Sequence, residues 1–215
     1  MLSCLSRRVA PIASLAARSS MHTSNTMRNA SPLVMHSSPL RSEHAKAFQA
    51  TLPEREGRVL SVQSHTVHGY VGNKAATLPL QLLGLEVDPL NTVHFSTHAG
   101  YKHLRGDATT AQQFDTLVEG LKINGVFNYD YVLSGYARSE GLLMSLASIV
   151  TELRATNGSK DKHAVRYFLD PVLGDDDCGF YVPQELVATY RDAMLPLATV
   201  ITPNTFEAQQ LRRSS

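Results

Sequence analysis

Apolar and polar positions alternate between two periods along residues 58–211, and this sets the expected order of elements. Arg58-Val59-Leu60-Ser61-Val62-Gln63-Ser64 reads as a first strand, followed by a glycine-bearing loop, His65 to Gly72. A helix is expected from about Asn73 to Leu83, with Gly84 suited to its end. Thr92 to Phe95 is a short strand, and a polar loop runs from Ser96 to Gly106. Thr109 or Thr110 can cap a helix whose apolar face is Phe114, Leu117, Val118 and Leu121. Tyr129 to Ser134 makes another strand, ending in Gly135-Tyr136.

The clearest helical period follows. Ser139 leads into Leu142, Leu143, Leu146, Ile149, Val150 and Leu153, closed by Asn157-Gly158. Ala164 to Leu169 has the length and the β-branched and aromatic content of a buried strand, and Pro171 should end it. Pro183 to Leu195 reads as a further helix, Val200-Ile201 as a last short strand, and Thr205 opens a helix. Strands alternating with helices imply right-handed crossovers and an α/β fold, a mostly parallel sheet with helices on both faces.

In such sheets ligands bind beyond the carboxyl ends of the strands. Ser64, Tyr136, Asp170 and Thr202 all fall at or just after such an end, so they form the candidate rim. Asp170 alone serves equally well as a turn residue, and both readings stand on these residues. Asp175, Asp176 and Asp177 form an acidic run whose plain reading is a solvated loop, with Asp175 the member best placed for a cation. His65, His68, His94, His98 and His103 are dense but match no metal-binding spacing, and His65 is singled out because it follows Ser64. Neither G-x-G-x-x-G nor G-x-x-x-x-G-K-[ST] occurs, which disfavours a dinucleotide oxidoreductase.

Charge narrows the field. The net charge of +1 conceals a split, with seven basic and three acidic residues in 1–57 but 13 basic and 16 acidic in 58–215. The fold-bearing part has no basic stripe for nucleic acid. No apolar run is long enough to span a bilayer, so no membrane partner is expected. Cys4 and Cys178 lie in such different sequence that a disulfide between them is not expected.

Met1 to Ser42 contains no Asp or Glu, and its arginines are scattered among Ser and Ala. Leu2, Leu5, Val9, Ile12 and Leu15 can line one face of a helix with Arg7, Arg8 and Arg18 off it. Residues 1–57 are therefore read as a disordered leader with the character of a mitochondrial transit peptide, the alternative being a tail with no targeting role. Met21, Met27 and Met35 are internal starts that would give a leaderless form.

Several stretches in one order resemble the pyridoxal kinase family of the ribokinase-like superfamily. They are Arg58 to Ser64 with Gly69-Tyr70-Val71-Gly72-Asn73, Phe95-Ser96 with Gly100-Tyr101, and Tyr129-Asp130-Tyr131-Val132-Leu133. Asp170 to Asp175 with Tyr181-Val182-Pro183, and Ile201-Thr202-Pro203-Asn204-Thr205-Phe206-Glu207-Ala208, complete the set. The resemblance implies a ribokinase-like fold over residues 58–215 and transfer of the γ-phosphoryl group of ATP to the 5′-hydroxymethyl of pyridoxal, pyridoxine or pyridoxamine. It implies that Ser64, Val71, Ala99 and Tyr136 contact the vitamer. Asp170 and Thr202 correspond to monovalent-cation (K+ or Na+) and nucleotide positions, Asp175 to the Mg2+ position, and Asn204, Thr205, Phe206 and Glu207 to nucleotide contacts. It also implies a homodimer and a cytosolic protein.

Two departures from the family pattern stand out. Ala99 replaces a threonine, removing one hydrogen bond to the vitamer that is worth roughly 0.5–1.5 kcal/mol. The glycine-rich Gly-Thr-Gly-Asp segment carrying the family's general-base aspartate would lie beyond Ser215, so the resemblance leaves no catalytic base in this sequence. The expectation is a family member incomplete at its C-terminus, with little turnover from residues 58–215. Two other readings remain, a hydroxymethylpyrimidine kinase of the same superfamily and a non-catalytic fragment. The leader reading has its own check: residues 1–57 fused to a fluorescent reporter should give a mitochondrial pattern, and diffuse signal alone would refute import.

Overall fold

The structure is a computed structural model, and it describes residues 57–157 and 165–212. The leader up to Glu56 lies outside the described residues, as do Gly158, Ala164 and the last three positions. Strand β1, Arg58–Thr66, is the spine of the sheet. It is buried without a break from Val59 to Ser64, as expected of a strand flanked by parallel neighbours and covered on both faces.

A positive-φ glycine turns the chain out of β1 into helix α1, Asn73–Leu82. A Cβ at Gly72 would stand 2.2 Å from the Ser64 carbonyl oxygen and 2.4 Å from Ser64 Oγ, so only glycine lets the loop close over that serine. The next residue, Asn73, is buried, and its Nδ2 lies 3.2 Å from Gln63 O, 3.1 Å from Leu90 O and 2.8 Å from Asn91 Oδ1. One amide thus ties the start of α1 to two strands.

Strand β2 spans Glu86–Phe95, six residues longer at its start than the apolar pattern predicts. The extension holds Asp88 and Pro89, both poor strand formers, but β1 supplies a parallel ladder from Arg58 opposite Glu86 onward. The short antiparallel β3, Gly106–Ala108, pairs only with Val93 to Phe95. At Pro89, β2 is therefore bonded on one side only and the missing N–H costs nothing in the ladder. Arg58 anchors the charged end through Asp88 at 2.7 Å and stacks over Tyr129, whose hydroxyl donates to Asp88 Oδ2 at 2.8 Å.

Thr110 opens α2, Ala111–Ile123, with a capping box to Gln113. Phe114 and Val118 are buried as expected, but Leu117 is 56% exposed, so the apolar stripe is narrower than its spacing suggested. β4, Tyr131–Ser134, precedes α3, Glu140–Asn157, whose predicted apolar positions from Leu142 to Leu153 are all buried. β5 is Arg166–Leu169, and a small hairpin of β6, Gly174–Asp175, and β7, Gly179–Phe180, follows it.

The helix expected over Pro183 to Leu195 is not one α-helix. α4 covers only Leu186–Thr189, then widens to a π-turn, Tyr190–Met194, and tightens to a 3-10 turn, Leu195–Leu197. Pro196 has no N–H to continue an α ladder, and the change of winding leaves both Tyr190 and Met194 fully buried. β8, Val200–Ile201, and α5, Thr205–Leu211, close the described chain.

The main sheet runs β3-β2-β1-β4-β5-β8, parallel except for β3. One face carries the core, where Leu60, Val62, Val132, Tyr167 and Leu169 meet residues of α2, α3 and the turns after α4. α1 lies against β1 and β2, and none of its residues joins that core, so helices cover both faces. Asn73→Ala removes the buried amide that bonds Gln63 O, Leu90 O and Asn91 Oδ1 and should lower stability by about 1–3 kcal/mol, read as a fall in the urea midpoint.

Candidate functional site

The rim anticipated from the sequence forms because hydrogen bonds continue past the strand ends. Gly135 N donates to Val62 O at 3.1 Å, Asp170 N to Ser134 O at 2.9 Å, and Thr202 N to Leu169 O at 3.1 Å. These bonds carry β4, β5 and β8 along one edge in sheet order beside β1. Tyr136, Asp170 and Thr202 fall just after their strands, whereas Ser64, expected at the end of β1, lies inside it because β1 pairs with β2 as far as Thr66.

Asp170 is half-buried, and burial is the main reason its carboxyl is raised from 3.8 to about 6. The negative charge of Glu207 adds to the rise, and a hydrogen bond with the Thr202 side chain opposes it. Tyr190 lies fully buried behind this region, with no hydrogen-bond partner for its hydroxyl among the described residues.

Glu207 is the buried carboxylate among these residues, only 4% exposed. Its Oε1 accepts from Leu173 N at 3.0 Å and its Oε2 from Asn204 N at 2.9 Å. Asn204 Oδ1 accepts from Glu207 N at 2.8 Å, and Asn204 Nδ2 donates to Gly174 O at 2.8 Å. The pair thus caps α5 and clasps it to the loop carrying Asp170 and Asp175. Phe206 packs edge-on against Phe180 of β7 at 5.1 Å, while Thr205 is exposed in the first turn.

Asp175 Oδ1 accepts from Asp177 N at 3.0 Å and Cys178 N at 2.7 Å, and Oδ2 accepts from the Tyr181 hydroxyl. Both lone-pair sites of Oδ1 are thereby used, and Oδ2 keeps one. A Mg2+ ion is commonly held by one or two carboxylates, its own waters and substrate phosphates, and Asp175 can supply such a single carboxylate. Among the described residues no group of three or more His, Cys, Asp or Glu is arranged to hold a metal.

At the other end of the rim, Gly72 packs on Ser64, so Val71 is held, half-buried, beside it. Tyr136 O accepts from Thr92 Oγ1 at 2.6 Å, and its phenol, raised by burial, points to Tyr181 O at 3.4 Å. Ala99 is exposed in the loop after β2. That loop meets the one after β1: His68 N donates to Ser96 O at 3.0 Å, and the His68 and Tyr101 rings are 6.0 Å apart. Parallel pairing sets His65 beside His94, with ring centroids 5.1 Å apart, and burial is the first cause of the lowered His65 value. Sequence reading missed Tyr181 and Tyr190 as site neighbours. Tyr181 reaches Asp175 only through the hairpin, and Tyr190 was hidden in an expected regular helix.

The protein is an α/β protein with a mostly parallel sheet and a polar rim along one edge. The sequence model of a family described as phosphomethylpyrimidine kinase matches residues 141–215. Pyridoxal kinase of Arabidopsis thaliana is 48% identical over 160 residues, covering 74% of this chain and 50% of that protein. The Homo sapiens pyridoxal kinase is 47% identical over 161 residues, with the same two shares. Among solved structures, pyridoxal kinase from Leishmania donovani in complex with ADP and pyridoxamine is 45% identical with a TM-score of 0.68, covering 72% of this chain and 53% of that one. The chain belongs to the pyridoxal kinase family. It spans about half the length of the curated relatives it matches.

Asp170 gives a pH test. Its folded-state value is raised, so between pH 3.8 and about 6 the folded protein binds more protons than the unfolded chain. Stability contributed at low pH is therefore lost as pH rises through that window. In metal-free buffer, Asp170→Asn should remove this part of the fall in melting temperature, seen as the difference between the two melting profiles.

Proposed function

We propose that the protein carrying this chain transfers the γ-phosphoryl group of ATP to the 5′-hydroxymethyl of pyridoxal, pyridoxine or pyridoxamine. The observation that carries this reading is the continuous rim from Ser64 through Tyr136 and Asp170 to Thr202, on a chain 48% identical to a pyridoxal kinase. ADP and pyridoxamine in the Leishmania donovani relative support a vitamer and a nucleotide as the two ligands.

In this reading Ser64, Val71 and Tyr136 line the vitamer end, with Ala99 in the adjoining loop. Asp170 and Thr202 hold a monovalent cation, K+ or Na+, against the nucleotide, and Asn204 to Glu207 shape the wall beside it. Asp175 faces Mg2+, which when bound neutralises phosphate charge. Phosphoryl transfer depends chiefly on positioning and on stabilising developing charge, so rigid carboxylates matter more here than a nucleophile. The clasp from Glu207 to Leu173 and Asn204 supplies that rigidity. The protein works as a homodimer, cytosolic in its leaderless form, with residues 1–57 as the leader of a mitochondrial form.

A second reading, phosphorylation of hydroxymethylpyrimidine, is favoured by the family match over residues 141–215. The pyridoxal kinase stretches at Gly69 to Asn73 and Tyr129 to Leu133 lie outside that match and weigh against it. Incubation of the whole protein with Mg2+, ATP and either acceptor separates the two. Pyridoxal phosphate, followed by absorbance, should form faster than hydroxymethylpyrimidine phosphate, and the opposite order would select the second reading. Asp170→Asn should lower kcat by about a hundredfold if the carboxylate stabilises charge at the transferring group.

A further inference from the structure

The register between β1 and β2 is broken once, and the break brings together two histidines that lie far apart in sequence. The strands pair in step as far as Gln63 opposite Asn91, and pairing resumes at His65 opposite His94. Two positions advance on β1 while three advance on β2, so β2 carries one extra residue there, as in a β-bulge. In the unbroken register His65 would stand opposite Val93. With the extra residue its ring lies 5.1 Å from that of His94, centre to centre, at an interplanar angle of 65°. Bulges commonly re-aim a side chain beside a functional site, and this one falls level with Ser64.

The spacing is that of two imidazoles on one metal ion. Zinc–nitrogen bonds of about 2.0–2.1 Å at a tetrahedral angle put the two ring centres about 5 Å apart. A plain edge-on contact between rings has the same distance, and the surroundings favour the ion. Among the described residues neither ring takes part in a hydrogen bond, so their nitrogens are available. His65 is half-buried and His94 exposed, which leaves the pair open to solvent. Burial, then His94 and Lys74, lower the His65 value and favour the neutral imidazole that a metal takes. Lys74 also repels a cation, but its ammonium donates to Val67 O at 2.5 Å and lies 5.3 Å from the centre of the Tyr70 ring. On the other side of β2, His94 pairs with Asp107 of β3. Residues paired across strands share a face, so a carboxylate stands next in the row to offset an ion's charge.

We propose that His65 and His94 form a binding site for one late first-row divalent ion, Zn2+ or Cu2+. Among the described residues no third His, Cys, Asp or Glu is in place beside them, so water completes the coordination. Imidazole nitrogen suits these ions, whereas Mg2+ takes oxygen ligands, so the pair does not compete for the Mg2+ read at Asp175. The ion ties β1 to β2 beyond the bulge, near the strand ends from which the loops carrying Val71 and Ala99 leave. Its binding requires neither vitamer nor nucleotide.

Calorimetric titration of the 215-residue chain with Zn2+, in excess Mg2+ and without vitamer or nucleotide, tests the pair. One ion should bind here per chain, and His65→Gln and His94→Gln should each weaken it by about tenfold or more, since even outer-shell partners of a metal are worth that much. His68→Gln and His98→Gln, whose rings pack on Tyr101, should leave it unchanged. Cu2+ on the same chain should show coupling to two nitrogens by electron paramagnetic resonance, and to one in either variant of the pair. Circular dichroism checks folding, and His94→Gln, at an exposed position, decides the matter with the Cu2+ spectrum if His65→Gln does not fold. Weakening by only one of two folded variants would overturn the pair. Zn2+ binding indifferent to both is an adventitious ion only and would overturn the site, as would an unsubstituted chain that binds none. Neither result touches the phosphoryl-transfer reading, which turnover tests separately.

Discussion

Glu207 is a buried carboxylate without a basic partner among the described residues, and the rim depends on how that charge is satisfied. Two backbone N–H groups from different segments, those of Leu173 and Asn204, converge on its two oxygens. Hydrogen bonds to an ionised group are among the stronger ones in proteins, and here they replace the water that burial removes. The same two residues form a reciprocal cap at the start of α5, and Asn204 reaches across to Gly174. The loop after β5 is therefore fastened to the helix after β8. Asp170 and Asp175 owe their places to this fastening as well as to the strand that precedes them.

The sheet supplies the second constraint. Parallel strands put all their carboxyl ends on one side, and ladder bonds that run one residue past β4, β5 and β8 hold those ends level. Polar residues far apart in sequence then share an edge with little need for side-chain bonds between them. Burial at that edge has an electrostatic consequence. Asp170 lies close enough to Glu207 for the two charges to repel, which raises the free energy of the ionised rim.

Membership in the pyridoxal kinase family rests on residues spread over both ends of the described fold, from β1 to α5. The first half of that span holds the loop in which Gly72 must approach Ser64 too closely for any side chain. The second half holds the Glu207 clasp. α1 belongs to neither, and Leu78 and Leu82 stand exposed on it.

Much of this was legible in the sequence because it depends on local period and on strand order. The helix from Leu142 to Leu153 shows its face by spacing alone, and β5 stops where Pro171 ends the ladder. Strand ends in an α/β chain predict a rim by topology, which placed Tyr136, Asp170 and Thr202 just after their strands, while Ser64 lies inside β1. Tertiary structure decided what rests on pairing and burial. β2 begins at Glu86 despite Pro89 and Asp88, because β1 offers it a ladder. The stretch after α4 changes its winding to bury Tyr190 and Met194, which no periodicity encodes. Glu207 read as one more polar residue near a nucleotide, since no linear pattern shows that Leu173, thirty-four residues away, donates its N–H to it. The chain's own order set which residues could meet at the rim, and only packing decided which carboxylate stays buried to hold it.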